Sequence, residues 1–315
     1  MKPLFALVLA LLADFSSRPP VVDPSRFELI RSAELRSSTL SPAGNAFALY
    51  AGNAVVLHDV RQERETFRLA GHNGNIHDSG WSRDGRFLAT SGYDGFVRVW
   101  DVSTGKPLAA IAAHAGYACS VSVSPDGKRV ASGGSADNSV KIFEIATQRE
   151  LRSIQAPPGA VFTLGYTGNG RYLLASHADA TLRAWDAETG AEAKNLAAGA
   201  GFVHTYAFTR DGKLMAYPVA DGSLAVVETG TWREAGSLEG HPGGTSHLAF
   251  DPGGRYLASA GRDGSVRVWE VATRKMVNAL GHGVGDNSRI AFAADGQSII
   301  VTGSDGTLRV YGRKK

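Results

Sequence analysis

The stretch from residue 71 to residue 101 concentrates the side chains of this sequence that could do chemistry. They are an imidazole, a hydroxyl, a carboxylate and an indole, in His72, Thr90, Asp94 and Trp100. A hydroxyl, an imidazole and a carboxylate are the groups of acyl-transfer enzymes, where the imidazole takes the hydroxyl proton. The same types return later in the chain, in His241, Ser259, Asp263 and Trp269. Because a catalytic set occurs once and this set recurs, we expect no catalytic residues.

Other catalytic and cofactor-binding patterns are missing from the sequence. It contains no HExxH motif, no CxxC pair, no GxGxxG loop after a strand and no GxSxG turn. Four of the nine histidines fall at recurring positions, and no two of the others lie at ligand spacing on one strand. The sequence therefore predicts no metal site and no cofactor.

The elements that carry these residues repeat about every 42 residues. A turn glycine marks each unit, at Gly44, Gly85, Gly127, Gly170, Gly212, Gly254 and Gly296. The residue that ends the third strand keeps the same step, at His58, Trp100, Phe143, Trp185, Val227, Trp269 and Tyr311. Each unit holds three short runs rich in β-branched or aromatic residues, joined by glycine turns, and the first six add a weaker fourth run. This pattern is typical of antiparallel strands and predicts a seven-unit repeat protein.

The seventh unit lacks its outer strand, because the chain stops soon after Tyr311. The run RFELIRS at residues 26–32 has the character of such a strand and precedes the first unit. We expect it to complete the last unit and so to remove an exposed sheet edge. The repeat domain would then span residues 26–312 as a monomeric ring, followed by a basic tail at residues 313–315.

Composition and charge narrow the classes of partner. Apolar residues make up 43 per cent of the chain, which is ample for a core. The net charge of +3 is dispersed over outward strand positions such as Arg98, Arg183 and Arg267, whereas nucleic-acid binding needs a clustered basic stripe. We therefore expect no nucleic-acid partner. The single cysteine, Cys119, excludes an internal disulfide and is expected to be buried.

The amino terminus resembles an export signal. Residues 1–13, MKPLFALVLALLA, hold one lysine and then about ten apolar residues, too few for the ~20 that span a bilayer. Residues 14–25 contain three prolines and are typical of an extended linker. We expect an exported protein, periplasmic or extracellular, with no stable membrane span. A cytoplasmic or membrane-anchored protein is the alternative if residues 1–13 are not a cleaved signal.

Two stretches of the chain resemble the WD40 repeat. They are Gly71-His72 with Asp94 and Trp100-Asp101, and Gly240-His241 with Asp263 and Trp269-Glu270. The resemblance covers about residues 26–312 and implies an all-β, seven-bladed β-propeller of four-stranded antiparallel blades, the last closed by an N-terminal strand. It also implies a hydrogen-bonded network inside a blade, which it assigns to His72, Thr90, Asp94 and Trp100 and to His241, Ser259, Asp263 and Trp269. The fourth unit departs from the pattern, with Pro157 at the histidine position.

Propellers usually bind partners through the loops between the fourth and first strands and between the second and third. Aromatic residues and arginines in such loops are enriched at binding hot spots. The candidates for a partner surface, including two at strand starts, are Tyr93, Tyr117, His177, Phe202, His204, Arg262 and Arg289. For His204 the alternative is a place in the core.

The resemblance favours a non-enzymatic scaffold that binds a protein or peptide partner. Two other classes remain open, a sensor of a small ligand or carbohydrate and a propeller lactonase or hydrolase. The last would require inward-facing carboxylates or histidines, whereas five residues before each landmark glycine the first strands carry small neutral residues such as Gly80, Ser122 and Gly165.

Overall fold

The computed structural model describes residues 28–34, 38–42, 46–59, 64–197, 205–280, 289–293, 296–303 and 307–312. Within these ranges the chain forms β-strands and turns and contains no helix, so no described helix is long and apolar enough to cross a membrane. The strands group into seven four-stranded sheets, which confirms the predicted all-β fold of seven blades.

The strands fall into two compact units, one with the strands from Ser38 to Ala197 and the other with the remaining strands. Strand β1 (Glu28–Glu34) belongs to the last blade. The first unit holds four blades. Blade 1 comprises β2 (Ser38–Leu40), β3 (Ala46–Ala51), β4 (Ala54–Asp59) and β5 (Arg64–Ala70). Blade 2 comprises β6 (Ile76–Trp81), β7 (Phe87–Gly92), β8 (Phe96–Asp101) and β9 (Pro107–Ala112). Blade 3 comprises β10 (Ala118–Val123), β11 (Arg129–Gly134), β12 (Ser139–Glu144) and β13 (Glu150–Gln155). Blade 4 comprises β14 (Val161–Tyr166), β15 (Tyr172–His177), β16 (Thr181–Asp186) and β17 (Glu192–Ala197).

The second unit holds three blades. Blade 5 comprises β18 (Ala207–Phe208), β19 (Leu214–Pro218), β20 (Leu224–Glu228) and β21 (Glu234–Leu238). Blade 6 comprises β22 (Thr245–Phe250), β23 (Tyr256–Gly261), β24 (Val266–Glu270) and β25 (Lys275–Leu280). Blade 7 comprises β26 (Arg289–Phe292), β27 (Ser298–Thr302), β28 (Thr307–Gly312) and, outermost, β1.

Strand β1 completes blade 7, as the sequence predicts. It pairs antiparallel with β28, from Glu28 opposite Gly312 to Glu34 opposite Thr307. The strand extends two residues past the predicted end at residue 32, and its predicted first residues, 26 and 27, lie outside the described residues.

The turn between the first and second strands explains the landmark glycine. In every described copy this glycine has a φ of +70° to +73°, for example +72° at Gly85. A side chain at such a φ is strained, and glycine adopts it without a steric penalty. The same turn conformation therefore recurs at the same place in blades 2 to 7, in step with the repeat.

Small residues let the first strands of neighbouring blades approach within the first unit. A Cβ added to Gly80 in β6 would lie 2.8 Å from the carbonyl oxygen of Val121 in β10 and 3.3 Å from the Cα of Ser122. Both atoms belong to backbone, which cannot move aside as a flexible side chain can. The close approach packs the blades against each other and buries apolar side chains such as Val121 and Val123 between them.

Candidate functional site

Four polar side chains of blade 2 form one chain of hydrogen bonds. The indole Nε1 of Trp100 donates to Thr90 Oγ1 at 3.0 Å, and Thr90 Oγ1 lies 2.9 Å from His72 Nε2. His72 Nδ1 lies 2.9 Å from Asp94 Oδ1. The family resemblance assigned these four residues to one network, and the structure places each of them within hydrogen-bond distance of the next.

Burial of His72 favours its neutral form, in which each ring nitrogen has one role in the network. Asp94 accepts, so the Nδ1 of His72 carries the proton and its Nε2 accepts from the Thr90 hydroxyl. Burial lowers the pKa of His72 below its ordinary value, against the raising effect of Asp94. Burial opposes ionisation of Asp94 too, but hydrogen bonds from His72 and the Asn73 N–H hold the pKa of its carboxyl below the usual range.

Blade 6 repeats this arrangement in the second unit. Trp269 Nε1 donates to Ser259 Oγ at 2.8 Å, which lies 2.7 Å from His241 Nε2. His241 Nδ1 lies 3.2 Å from Asp263 Oδ1 and 3.1 Å from Ser265 Oγ. The residue types and the order of the hydrogen bonds match those of blade 2, so the same network occurs in both units.

Blade 3 contains a third copy that lacks the indole. His114 Nδ1 lies 2.8 Å from Asp137 Oδ2, and His114 Nε2 lies 3.1 Å from Ser132 Oγ, while Phe143 stands at the tryptophan position. Asp137 was not predicted from the sequence, because this unit carries one extra residue, which shifts the carboxylate one place later than Asp94 or Asp263. Counting backwards from the third strand would have found it.

These hydrogen-bonded networks link the strands and loops within a blade and do not form a reaction centre. The hydroxyl residues Thr90, Ser132 and Ser259 are all 0% exposed, so no substrate reaches the oxygen that would have to attack it. In blades 2 and 6 that oxygen also accepts the indole N–H. The described residues contain no group of three or more His, Cys, Asp or Glu side chains that could hold a metal ion.

In blade 4, which has no loop histidine, His177 of the second strand supplies an imidazole at the corresponding place. In blades 2, 3 and 6 a glycine ends the second strand, and a Cβ added to Gly92, Gly134 or Gly261 would lie 2.2 to 2.7 Å from the loop imidazole. His177 holds that position in β15, opposite Val161 as Gly92 is opposite Ile76. Its ring packs edge-on against Trp185 at 5.5 Å, so the imidazole now comes from the strand and the loop carries Pro157.

His177 was predicted to lie on a partner surface, and this prediction is wrong because the side chain is buried. The side chain is 0% exposed, and neither ring nitrogen has a hydrogen-bond partner among the described residues. Burial lowers the pKa of His177 to about 4, while Asp179 raises it and Arg183 lowers it further. The sequence placed His177 in a loop, whereas it is the last residue of β15, and sequence spacing could not show that its ring is buried.

Lowering the pH should reduce the stability of the folded protein through protonation of His177. Its pKa is about 4 when folded and 6.5 in the unfolded chain, so its contribution is fully present above pH 6.5 and lost as pH falls towards 4. Between pH 7 and pH 4 the free energy of unfolding of the wild type should therefore fall by about 3 kcal/mol more than that of His177→Phe. Urea denaturation of both proteins at the two pH values measures this. An equal acid loss in both proteins would contradict the assignment.

Two exposed tyrosines meet at the loop end of blades 2 and 3. Tyr93 is 46% exposed and Tyr117 is 53% exposed, and their ring centroids lie 4.8 Å apart. The Tyr93 N–H donates to the carbonyl oxygen of Asn75 at 3.0 Å, and the Tyr117 N–H donates to Ser135 Oγ at 3.1 Å. These bonds fix the backbone of both loops, so the two rings are held in place and remain open to a partner.

A β-bulge adds His77 to this pair. In the pairing of β6 with β7, Ile76 lies opposite Gly92 and Asp78 lies opposite Ser91, which leaves His77 unpaired between them. Bulges redirect side chains at sheet rims, and the His77 ring contacts Tyr93 edge-on at 5.5 Å. His77, which is half-buried, was not predicted from the sequence, although it stands eight residues before the landmark glycine, as His204 does.

Two of the remaining predicted surface residues, Arg262 and Arg289, belong to the second unit. Arg262 is exposed in the turn after β23, where its N–H donates to the carbonyl oxygen of Gly244 at 3.0 Å. Arg289 is exposed at the start of β26. Burial, together with the charge of Arg289, lowers the pKa of His247 to about 3. Phe202 and His204 lie outside the described residues.

The thiol of Cys119 lies close to Tyr117 and is expected to be unreactive. Cys119 is buried, with its sulfur 3.9 Å from the carbonyl oxygen of Tyr117. Burial raises the pKa of the thiol, a hydrogen bond with Ser135 opposes this, and the carboxylates of Asp137 and Asp78 raise it again. A protonated, buried thiol is a poor nucleophile.

Comparison with protein families gives one family. The model of the WD domain, G-beta repeat matches residues 63–101, 105–144, 148–186, 232–270 and 275–312, together more than half of the chain. The first three matches and the last two fall in different structural units.

Curated relatives match part of the chain. The Periodic tryptophan protein 2 homolog of Dictyostelium discoideum is 25% identical over 48% of this chain and 17% of its own length. Protein FIZZY-RELATED 2 of Arabidopsis thaliana is 29% identical over 49% of this chain and 33% of its own length. The guanine nucleotide-binding protein subunit beta of Saccharomyces cerevisiae is 32% identical over 26% of this chain and 19% of its own length. The matched part of this chain thus spans a third or less of each of these relatives.

Proposed function

We propose that this chain, which belongs to the WD40 repeat family, is a non-enzymatic scaffold that captures a protein or peptide partner through its blade loops. The observation that carries the proposal is the exposed pair formed by Tyr93 and Tyr117. Tyrosine offers a large contact area at low conformational-entropy cost, and it is enriched among the residues that dominate binding energy. Two such rings on fixed loops make a preformed contact surface.

The relatives and the buried networks support a binding role over an enzymatic one. By its name, the Saccharomyces cerevisiae relative is a subunit of a guanine nucleotide-binding protein, and so works within an assembly. In this chain the hydroxyl, imidazole and carboxylate groups of blades 2, 3 and 6 are used to bond one another. The fold itself hosts many functions, so the surface has to carry the assignment.

Removing both rings should abolish most of the capture. We expect Tyr93→Ala with Tyr117→Ala to reduce recovery of the partner by at least ~30-fold, since a buried hot-spot aromatic contributes about 2 kcal/mol or more. Affinity capture from the source cell with quantitative mass spectrometry measures the recovery. Leu108→Ala is the matched control, because Leu108 is 42% exposed on β9, away from these loops, and its loss should leave recovery unchanged. Equal recovery by the double variant and the wild type would move the binding surface elsewhere.

We also propose that the chain is exported and that residues 1–13 direct the export. The support is the single lysine followed by an apolar run that is short for a membrane span. Expression in the source cell, followed by fractionation and sequencing of the mature amino terminus, tests this. Recovery from the exported fraction with residues 1–13 removed is expected, whereas an intact terminus in the cytoplasm would refute it.

A further inference from the structure

The loops around the two tyrosines in the first unit carry no lysine or arginine of their own, although Lys141 of β12 donates from Nζ to the carbonyl oxygen of Ala113 at 2.9 Å. These loops run between the fourth and first strands and between the second and third strands, at residues 52–53, 71–75, 93–95, 113–117, 135–138, 156–160 and 178–180. All of them are described, and none contains lysine or arginine. Of their carboxylates, Asp137 lies 3.7 Å from Lys141 Nζ and Asp179 lies 3.6 Å from Arg183 Nη2, both cations being on strands, and Asp94 bonds His72. The turns at the other ends of the strands differ, since residues 82–86 and 124–128 carry Arg83, Arg86 and Lys128.

A carboxylate stands beside the aromatic cluster on the first strand of blade 2. Asp78 follows His77, whose ring contacts Tyr93. Its Oδ2 accepts the backbone N–H of Val121 at 3.2 Å, which fixes the Asp78 side chain between the first strands of blades 2 and 3. Its carboxylate also acts on Cys119, two residues after Tyr117. The Asp78 carboxylate is therefore fixed between the strand that carries His77 and the strand that follows Tyr117.

This combination suits an arginine side chain. A guanidinium stacks on tyrosine faces by cation–π attraction and presents a planar fork of donors to a carboxylate. A lysine ammonium is a compact, strongly hydrated charge that stacks less well. We infer that the partner presents an arginine to the surface formed by His77, Asp78, Tyr93 and Tyr117, which we name the tyrosine patch. The inference rests on the proposed function and specifies the chemistry of its partner.

Synthetic peptides test the choice of arginine without knowledge of the partner. Four pools of acetylated and amidated nonapeptides share randomised flanks and carry arginine, citrulline, lysine or glutamate at the centre. Citrulline keeps the size and planarity of arginine but lacks the charge. We expect the full chain to retain the arginine pool about tenfold more than the citrulline or lysine pool, with the glutamate pool lowest. Equal retention of the arginine and citrulline pools would overturn the inference, and so would equal retention of the arginine and lysine pools.

Variants of the full chain tie the preference to the patch. D78N removes the charge and keeps an oxygen that can accept the Val121 N–H, so it should fold and retain the arginine pool about fivefold less. The double Tyr93→Ala, Tyr117→Ala variant should lose the arginine preference, and Leu108→Ala should keep it. An unchanged arginine preference in D78N and in the double variant would overturn the inference.

The outcome for arginine is separable from the outcome for the scaffold role. Partner capture that depends on the two tyrosines but shows no arginine preference in the peptide pools would overturn only the chemistry inferred for the partner. Partner capture that is unchanged in the double Tyr93→Ala, Tyr117→Ala variant would overturn the proposed binding surface as well.

Discussion

A chain that begins at residue 35 is expected to melt far below one that begins at residue 25 and to aggregate on heating. The shorter chain lacks β1, which pairs with β28 from Glu28–Gly312 to Glu34–Thr307. Its loss leaves the N–H and C=O groups of β28 unpaired at a new sheet edge, and such edges recruit strands from other molecules. We expect a loss of a large part of the roughly 5–15 kcal/mol that stabilises a typical domain.

The two truncations form a matched pair, because both lack the signal and linker and differ only in the strand. Differential scanning calorimetry with light scattering measures melting and aggregation together. A synthetic peptide of residues 25–34 added to the shorter chain should restore part of the melting temperature, since it can refill the vacated edge. Coincident melting of the two truncations would show that β1 contributes little to blade 7.

Trp269→Ala is expected to lower the free energy of unfolding by about 3–5 kcal/mol, the usual range for a buried tryptophan. The side chain is 1% exposed, and it packs with Leu248 and Leu257 in the core of the second unit. Truncation leaves a cavity and also removes the indole donor to Ser259 Oγ. Urea denaturation with the linear extrapolation measures the change.

The fold itself provides the control for this prediction. Trp269→Phe keeps most of the ring and removes the donor, which makes blade 6 resemble blade 3, where Phe143 is 4% exposed and His114 alone bonds Ser132. We expect this variant to lose about 1–3 kcal/mol, the effect of one unmade buried hydrogen bond. A loss as large as that of Trp269→Ala would assign the stability to the hydrogen bond and not to packing.

Repetition made the fold predictable from the sequence. Turn glycines need a positive φ, and small residues such as Gly80 are needed where backbones touch, so both recur in step and reveal the blades. The closing strand was predictable because blade 7 had one strand too few and the chain offered one unused segment.

Three features of the candidate site were harder to predict. Asp137 was missed because an inserted residue shifts it by one place. His177 was misplaced because its ring fills a space that a loop histidine fills in blades 2, 3 and 6, and sequence spacing does not report where a ring points. His77 was overlooked because the bulge that redirects it is a property of strand pairing. The first two errors lie where one blade differs from the others, whereas the bulge at His77 recurs at the equivalent place in blades 3, 4 and 6.

Site-specific photo-crosslinking tests the central claim most directly, namely that the loop surface bearing Tyr93 binds a protein partner. The photoreactive residue p-benzoylphenylalanine would replace Tyr93 in one full-length chain and Leu108 in another, both positions being exposed. Irradiation in the source cell should join the Tyr93 chain to a discrete partner band, which should be absent from the Leu108 chain. Crosslinks from position 108 with none from position 93 would contradict the claim.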